Sequence, residues 1–356
     1  MKILKLLSNI ITLAIVLVLG VACFDPQLKI TPMVFSTPTS IPPDPTKQVT
    51  SISLPLVEKW RWSGLIYNSS GLPMVVISED RIVIAANEFA SEKVIVFDGR
   101  TGNTIWESGD IRNLRSLNAD KKRVYVGSIR YVKAYDFVTG QELWEGAQQP
   151  SFKRGRLNVY PEGEELNVYD PYDSRLYILD AQKGQTIVEI RQSLPFFKWN
   201  NVYYSGVCGG AALNCLNAVD ALNGEQLWSH DFGGSVYSWP IFLNDMMFIN
   251  AGGQLFAIKA KTGKIIWQST GGSFVTPMAL GDNLLYAIRD DAAIVGFEPE
   301  TGEQVGVIEV GPIQNLEYTG GYVPYYTIAA SDKFIAAYYS NSQELIVFEK
   351  INDKSK

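Results

Sequence analysis

The stretch VKAYDFVTGQELW, residues 132–144, decides the fold. It opens with Val132, Ala134 and Asp136 alternating against Lys133 and Tyr135, so successive side chains fall on opposite faces of a strand. It then turns through D-x-x-T-G, where the Asp136 carboxylate can accept hydrogen bonds from turn amides and Gly140 tolerates the positive φ of a hairpin bulge. A second strand follows and ends on Trp144.

One such hairpin would say little, but the unit recurs. The other copies are VIVFDGRTGNTIW (94–106), LYILDAQKGQTIV (176–188), LNAVDALNGEQLW (216–228), LFAIKAKTGKIIW (255–267) and IVGFEPETGEQVG (294–306). Their turn glycines, Gly102, Gly140, Gly184, Gly224, Gly263 and Gly302, lie 38, 44, 40, 39 and 39 residues apart, the length of one four-stranded blade. Asp98, Asp136, Asp180 and Asp220 are read as turn formers, and Lys259 and Glu298 stand in their place in the weaker copies. Trp106, Trp144, Trp228 and Trp267, each four residues beyond its glycine, are read as flat plugs packed between units; stacking on a sugar ring is the alternative use of such a residue.

Two further strands precede each hairpin, as in residues 74–77 and 81–85, 239–243 and 246–250, and 277–280 and 284–288, separated by turn signals such as Asn244-Asp245. A seventh unit follows the last hairpin: residues 322–328, 334–339 and 345–349 read as three strands, after which the chain ends without a Trp strand. The missing strand is sought at the other end, near residues 56–63, where Trp60 or Trp62 would take the Trp place, with Trp60 preferred. The expectation is an all-β, seven-bladed propeller closed by that N-terminal strand, which removes free sheet edges. Eight blades is the alternative, if the irregular region 152–172 hides one.

The recurring L-x-A-x-D-x-x-T-G-x-x-L-W pattern resembles the pyrroloquinoline-quinone-type propeller repeat over roughly residues 56–350. The resemblance implies either a quinoprotein dehydrogenase or one of its non-enzymatic relatives. The enzymes of that group hold their cofactor on the axis beside a Ca²⁺ ligated by Glu, Asn and Asp, and many carry a disulfide between adjacent cysteines. No residue set here matches those motifs, and Cys208 and Cys215 are not adjacent, so the expectation is no cofactor and no catalytic residue. In size and layout the chain is similar to lipoproteins built from one such propeller, including the propeller subunit of the outer-membrane β-barrel assembly machinery. That likeness implies a scaffold that binds protein, or else a cell-envelope glycan. An enzyme using the central funnel, quinoprotein-like or hydrolytic, is the alternative.

Residues 1–23 read as an export signal, with Lys2 and Lys5 before an apolar core from Leu6 to Gly20. Its end, Leu19-Gly-Val-Ala-Cys23, resembles a bacterial lipobox, with Gly20 where that motif prefers Leu, and implies a lipid on Cys23. An ordinary cleaved signal or an uncleaved anchor are the alternatives. Residues 24–53, rich in Pro and Thr, read as an extended tether, 54–351 as the propeller and 352–356 as a polar tail. Export places Cys208 and Cys215 where a hairpin disulfide can form, with two buried thiols as the alternative.

Composition excludes several classes. The net charge of −6, or −8 without Lys2 and Lys5, disfavours nucleic acid, and the basic run 153–156 is read as a solvated loop tip. A single histidine, His230, leaves no His-based metal cluster. The acidic residues Glu162, Glu164, Glu165, Asp290 and Asp291 fall in expected turns, and Tyr338 and Tyr339 with their tyrosine neighbours are read as packing between blades before a recognition surface. A monomeric propeller is expected.

Overall fold

A computed structural model describes residues 54, 56–66, 74–88, 91–146, 157–170, 175–190, 195–205, 215–234, 236, 240–270, 272–310 and 325–351. The leader with Cys23, the tether, the basic run, Cys208 and the polar tail lie outside the described residues.

Seven antiparallel sheets follow one another along the chain, and no helix occurs among the described residues. Each sheet is a blade. The innermost strands are Val75–Ser78, Leu114–Ala119, Asn158–Glu162, Pro195–Trp199, Ile241–Leu243, Ala279–Gly281 and Tyr326–Ala330. The outermost strands of the first six blades are Thr104–Glu107, Glu142–Gly146, Thr186–Ile190, Gln226–Asp231, Ile265–Gln268 and Gln304–Ile308. The irregular region contributes Asn158–Glu162 and Glu165–Asp170 to blade three, so the count is seven. Blade one also carries a two-residue strand, Leu65–Ile66, on the far end of Arg81–Glu88.

The middle strands show why the apolar runs are continuous. Arg123–Ser128, Met246–Ala251 and Phe334–Tyr339 are buried along their whole length, because both of their faces meet a neighbouring blade. The core therefore lies between blades, as where Tyr125 and Val132 of blade two pack with Leu166, Val168 and Tyr177 of blade three.

The seventh sheet draws on both ends of the chain. Leu56–Ser63 pairs antiparallel with Glu344–Lys350, from Leu56 opposite Lys350 to Ser63 opposite Glu344, with a bulge between Glu58 and Trp60. Lys59–Glu349 at 2.9 Å and Arg61–Glu344 at 3.3 Å cross the same seam.

Candidate functional site

The D-x-x-T-G hairpins all adopt one conformation. Asp136 Oδ1 accepts from the Val138 and Thr139 amides at 3.0 and 2.7 Å and from the Thr139 hydroxyl at 2.8 Å; Asp98 does the same with Arg100 and Thr101. These donors hold both carboxyls below the usual carboxylate range, the Thr amide contributing most. The glycine amide then donates to the carbonyl of the residue at the Asp place, including Lys259 and Glu298, and all six glycines have φ between +68° and +75°. Backbone geometry, not the carboxylate, is the shared feature.

Each hairpin also forms half of a slot for the preceding blade. Trp60, Trp106, Trp144, Trp228 and Trp267 lie against Gly102, Gly140, Gly184, Gly263 and Gly302, with ring atoms 2.5–2.8 Å from where a glycine Cβ would stand. Each indole N–H donates to the carbonyl just after the Asp place: Gly99, Phe137, Ala181, Ala260 and Pro299, at 2.7–3.2 Å. Stacking on a bound ring would need the faces these indoles already use.

Two columns depart from this rule. In blade six the Trp place is Gly306, opposite Gly296 in the ladder, and blade seven offers no D-x-x-T-G hairpin, since its two outer strands come from opposite ends of the chain. Leu54, buried ahead of the closing strand, packs over Gly296 instead, its methyls 3.1 and 3.2 Å from a Cβ built there. In blade three the Trp place is Val188, and among the described residues nothing compensates: none places an atom within 4 Å of a Cβ built on Gly224 of blade four.

The innermost strands surround an axial cavity of about 190 Å³. Its walls are chiefly apolar, with Val75, Ile77, Leu117, Ile241, Met278 and Ile328 among them, and none of the described lining residues is charged. Its polar members are engaged locally. Ser116 Oγ donates to the Leu157 carbonyl at 2.7 Å and accepts from the Val159 amide at 3.1 Å; Asn118 Oδ1 accepts from the Ala119 amide at 2.9 Å. Burial, with Glu162 nearby, pushes the Tyr160 hydroxyl up to about 12, so it stays protonated at neutral pH.

Most of the remaining ionisable candidates make contacts between blades. Half-buried Glu162, raised by burial, accepts from the Asn200 amide of blade four at 3.3 Å. Glu164 pairs with Lys122 and Glu165 with Lys198, each across a blade boundary, and Asp291 pairs with Arg289. His230 bonds the Gly263 carbonyl of blade five and sits beside the Trp228 and Phe232 rings. Tyr338 and Tyr339 are fully buried, their hydroxyls donating to the Gly64 and Ala292 carbonyls. Cys215 is buried at the start of its strand. No cluster of three or more His, Cys, Asp or Glu suited to a metal exists among the described residues. Between blades four and five, a second cleft of about 350 Å³ opens at the turns, with Trp199, Asn201, Leu222 and Asp245 on its walls.

Fold and surfaces together define a seven-bladed propeller of pyrroloquinoline-quinone-type repeats whose axis is apolar. A profile of the family described as outer membrane protein assembly factor BamB matches residues 54–198 and 214–339, and the chain belongs to that family. Among solved structures it is similar to the crystal structure of BamB from Moraxella catarrhalis, at 15% identity and a TM-score of 0.50, over 80% of this chain and 86% of that one. It is also similar to a chain of the mitotic checkpoint complex, at 12% identity and a TM-score of 0.63, over 89% of this chain and 98% of that one. The computationally designed Ika8 protein matches at 17% identity and a TM-score of 0.56, over 81% of this chain and 98% of that one. At these identities the likeness concerns the fold. No curated protein matches the sequence.

Proposed function

We propose that the chain is a non-catalytic scaffold that binds protein partners through its propeller surface, exported and held at the outer face of a bacterial membrane by a lipid on Cys23. The observation that carries this reading is the axial cavity. Where a quinoprotein would place convergent carboxylates, the described lining is chiefly apolar and carries no carboxylate, and Ser116 and Asn118 are engaged by adjacent backbone. Family membership supports it, since the family is that of an outer membrane protein assembly factor.

In this reading residues 1–23 are the export signal, 24–53 the tether, 54–351 the binding domain and 352–356 a tail. A Cys208–Cys215 bridge would close the loop between the second and third strands of blade four, a role suited to the burial of Cys215. Growth with radiolabelled fatty acid tests the anchor: the wild-type chain should take up label and Cys23→Ala should not. Label retained by the variant would sink the lipid assignment. Dye reduction dependent on added pyrroloquinoline quinone would sink the non-catalytic one.

A further inference from the structure

The slot facing Gly224 is formed by the same parts as its five filled sisters. The hairpin is intact: the Gly224 amide donates to the Asp220 carbonyl at 2.9 Å, the Leu222 amide to Asp220 Oδ1 at 2.8 Å, and φ of Gly224 is +75°. The opposing strand is in the same register, with Val188 across from Ile178 just as Trp144 stands across from Ala134. Only the indole is missing. Gly99, Phe137, Ala181, Ala260 and Pro299, whose carbonyls receive an indole N–H, are all buried, whereas Ala221 is half-exposed and Gly224 exposed. Val188, at the Trp place, is itself 40% exposed, so its smaller side chain leaves the opening uncovered.

The sister slots specify what fits. They accept a flat ring about the size of an indole, edged by one N–H donor that reaches the carbonyl after the Asp place. We propose that the Gly224 slot takes a tryptophan side chain supplied by a partner polypeptide, lying on Gly224 between blades three and four and donating to the Ala221 carbonyl. The partner's being a polypeptide rests on the scaffold reading above; the ring chemistry rests on the slot alone. A tryptophan from outside completes the column that Val188 leaves open, so the site is specific for an aromatic donor and indifferent to aliphatic side chains.

The test uses the full chain labelled with ¹⁵N-glycine and titrated with N-acetyl-tryptophanamide, with N-acetyl-leucinamide as control. The Gly224 amide resonance, assigned through Gly224→Asn, should shift saturably with the first compound and not with the second. Val188→Trp fills the slot from within; it should raise the melting temperature by about 5 °C and weaken the titration at least tenfold. Should that variant fail to fold, Val188→Phe supplies a smaller plug with the same expected direction. An unmoved Gly224 resonance in the wild type, or a shift that persists undiminished in the plugged variant, overturns the proposal. Envelope polypeptides that co-purify equally with wild type and Val188→Trp would also overturn it, while leaving the scaffold reading standing.

Discussion

Replacing Trp267 by Ala measures how much a filled slot contributes. Trp267 is only 8% exposed, lies across Gly302 and donates to the Pro299 carbonyl at 2.7 Å. A buried Trp removes on the order of 200 Å² from water, roughly 5 kcal/mol at about 25 cal/mol per Å². Core Trp-to-Ala truncations cost about 3–5 kcal/mol, and the lost hydrogen bond about 1 kcal/mol, so a total near 5 kcal/mol is consistent by either route. For a domain of this size that lowers the melting temperature by about 10 °C. The internal control is Val188→Ala, in the same column of blade three: Val188 is 40% exposed and touches no filled slot, so the loss should stay within about 1 kcal/mol. Calorimetry or thermal circular dichroism on both variants decides it. A Trp267→Ala protein melting within 2 °C of wild type, to take about that margin as measurement error, would refute the slot energetics. So would a Val188→Ala protein damaged to the same degree.

Two other outcomes are expected. Deleting residues 54–63 removes Leu54 and the strand paired with Glu344–Lys350, so the unfolding midpoint should fall sharply; an unchanged melt would contradict closure through that strand. Lys350 is pushed down to about 8 by burial, partly opposed by Asp282 and Asp332, while it donates to the Ser331 carbonyl at 2.9 Å. Because folding lowers this lysine's affinity for its proton, the unfolded chain binds more protons between pH 8 and its ordinary 10.5, and stability should rise with pH across that window. Urea midpoints at several pH values in wild type and Lys350→Met check this: the variant should lose that part of the slope, and an identical slope would contradict it.

Much of the architecture was legible because the repeat states it six times. D-x-x-T-G fixes a hairpin, the interval fixes a blade, and Trp60 ahead of the first copy points to the strand missing from the last. Trp60 rather than Trp62 lies on Gly102; Trp62 folds over Gly64 beside Phe97. The innermost strands were harder to read. They are short, some start beside Pro240 or Pro277, and segments such as LRSLNA (114–119) mix polar and apolar residues because one edge faces the axis. The strand beginning at residue 239 in the sequence reading begins at Ile241 in the structure.

Site features divide along the same line. Val188 in a column of Trp residues was visible as a substitution, but only the packing shows that no described residue replaces the ring over Gly224, whereas Leu54 stands in for Gly306 from outside the repeat. No spacing announces Leu54, since its partner Gly296 lies at the far end of the sequence. The axial lining was equally invisible, being assembled from strands spread over most of the chain. Repetition makes scaffold chemistry readable; departures from it acquire meaning only once their neighbours are known.

The most direct test of the scaffold account is quantitative affinity purification of the full chain from detergent-solubilised membranes, with the stoichiometry of co-purifying polypeptides measured against a mock preparation. The account predicts at least one envelope polypeptide retained in near-stoichiometric amount. A chain that purifies alone under conditions that keep it folded and membrane-associated would contradict it.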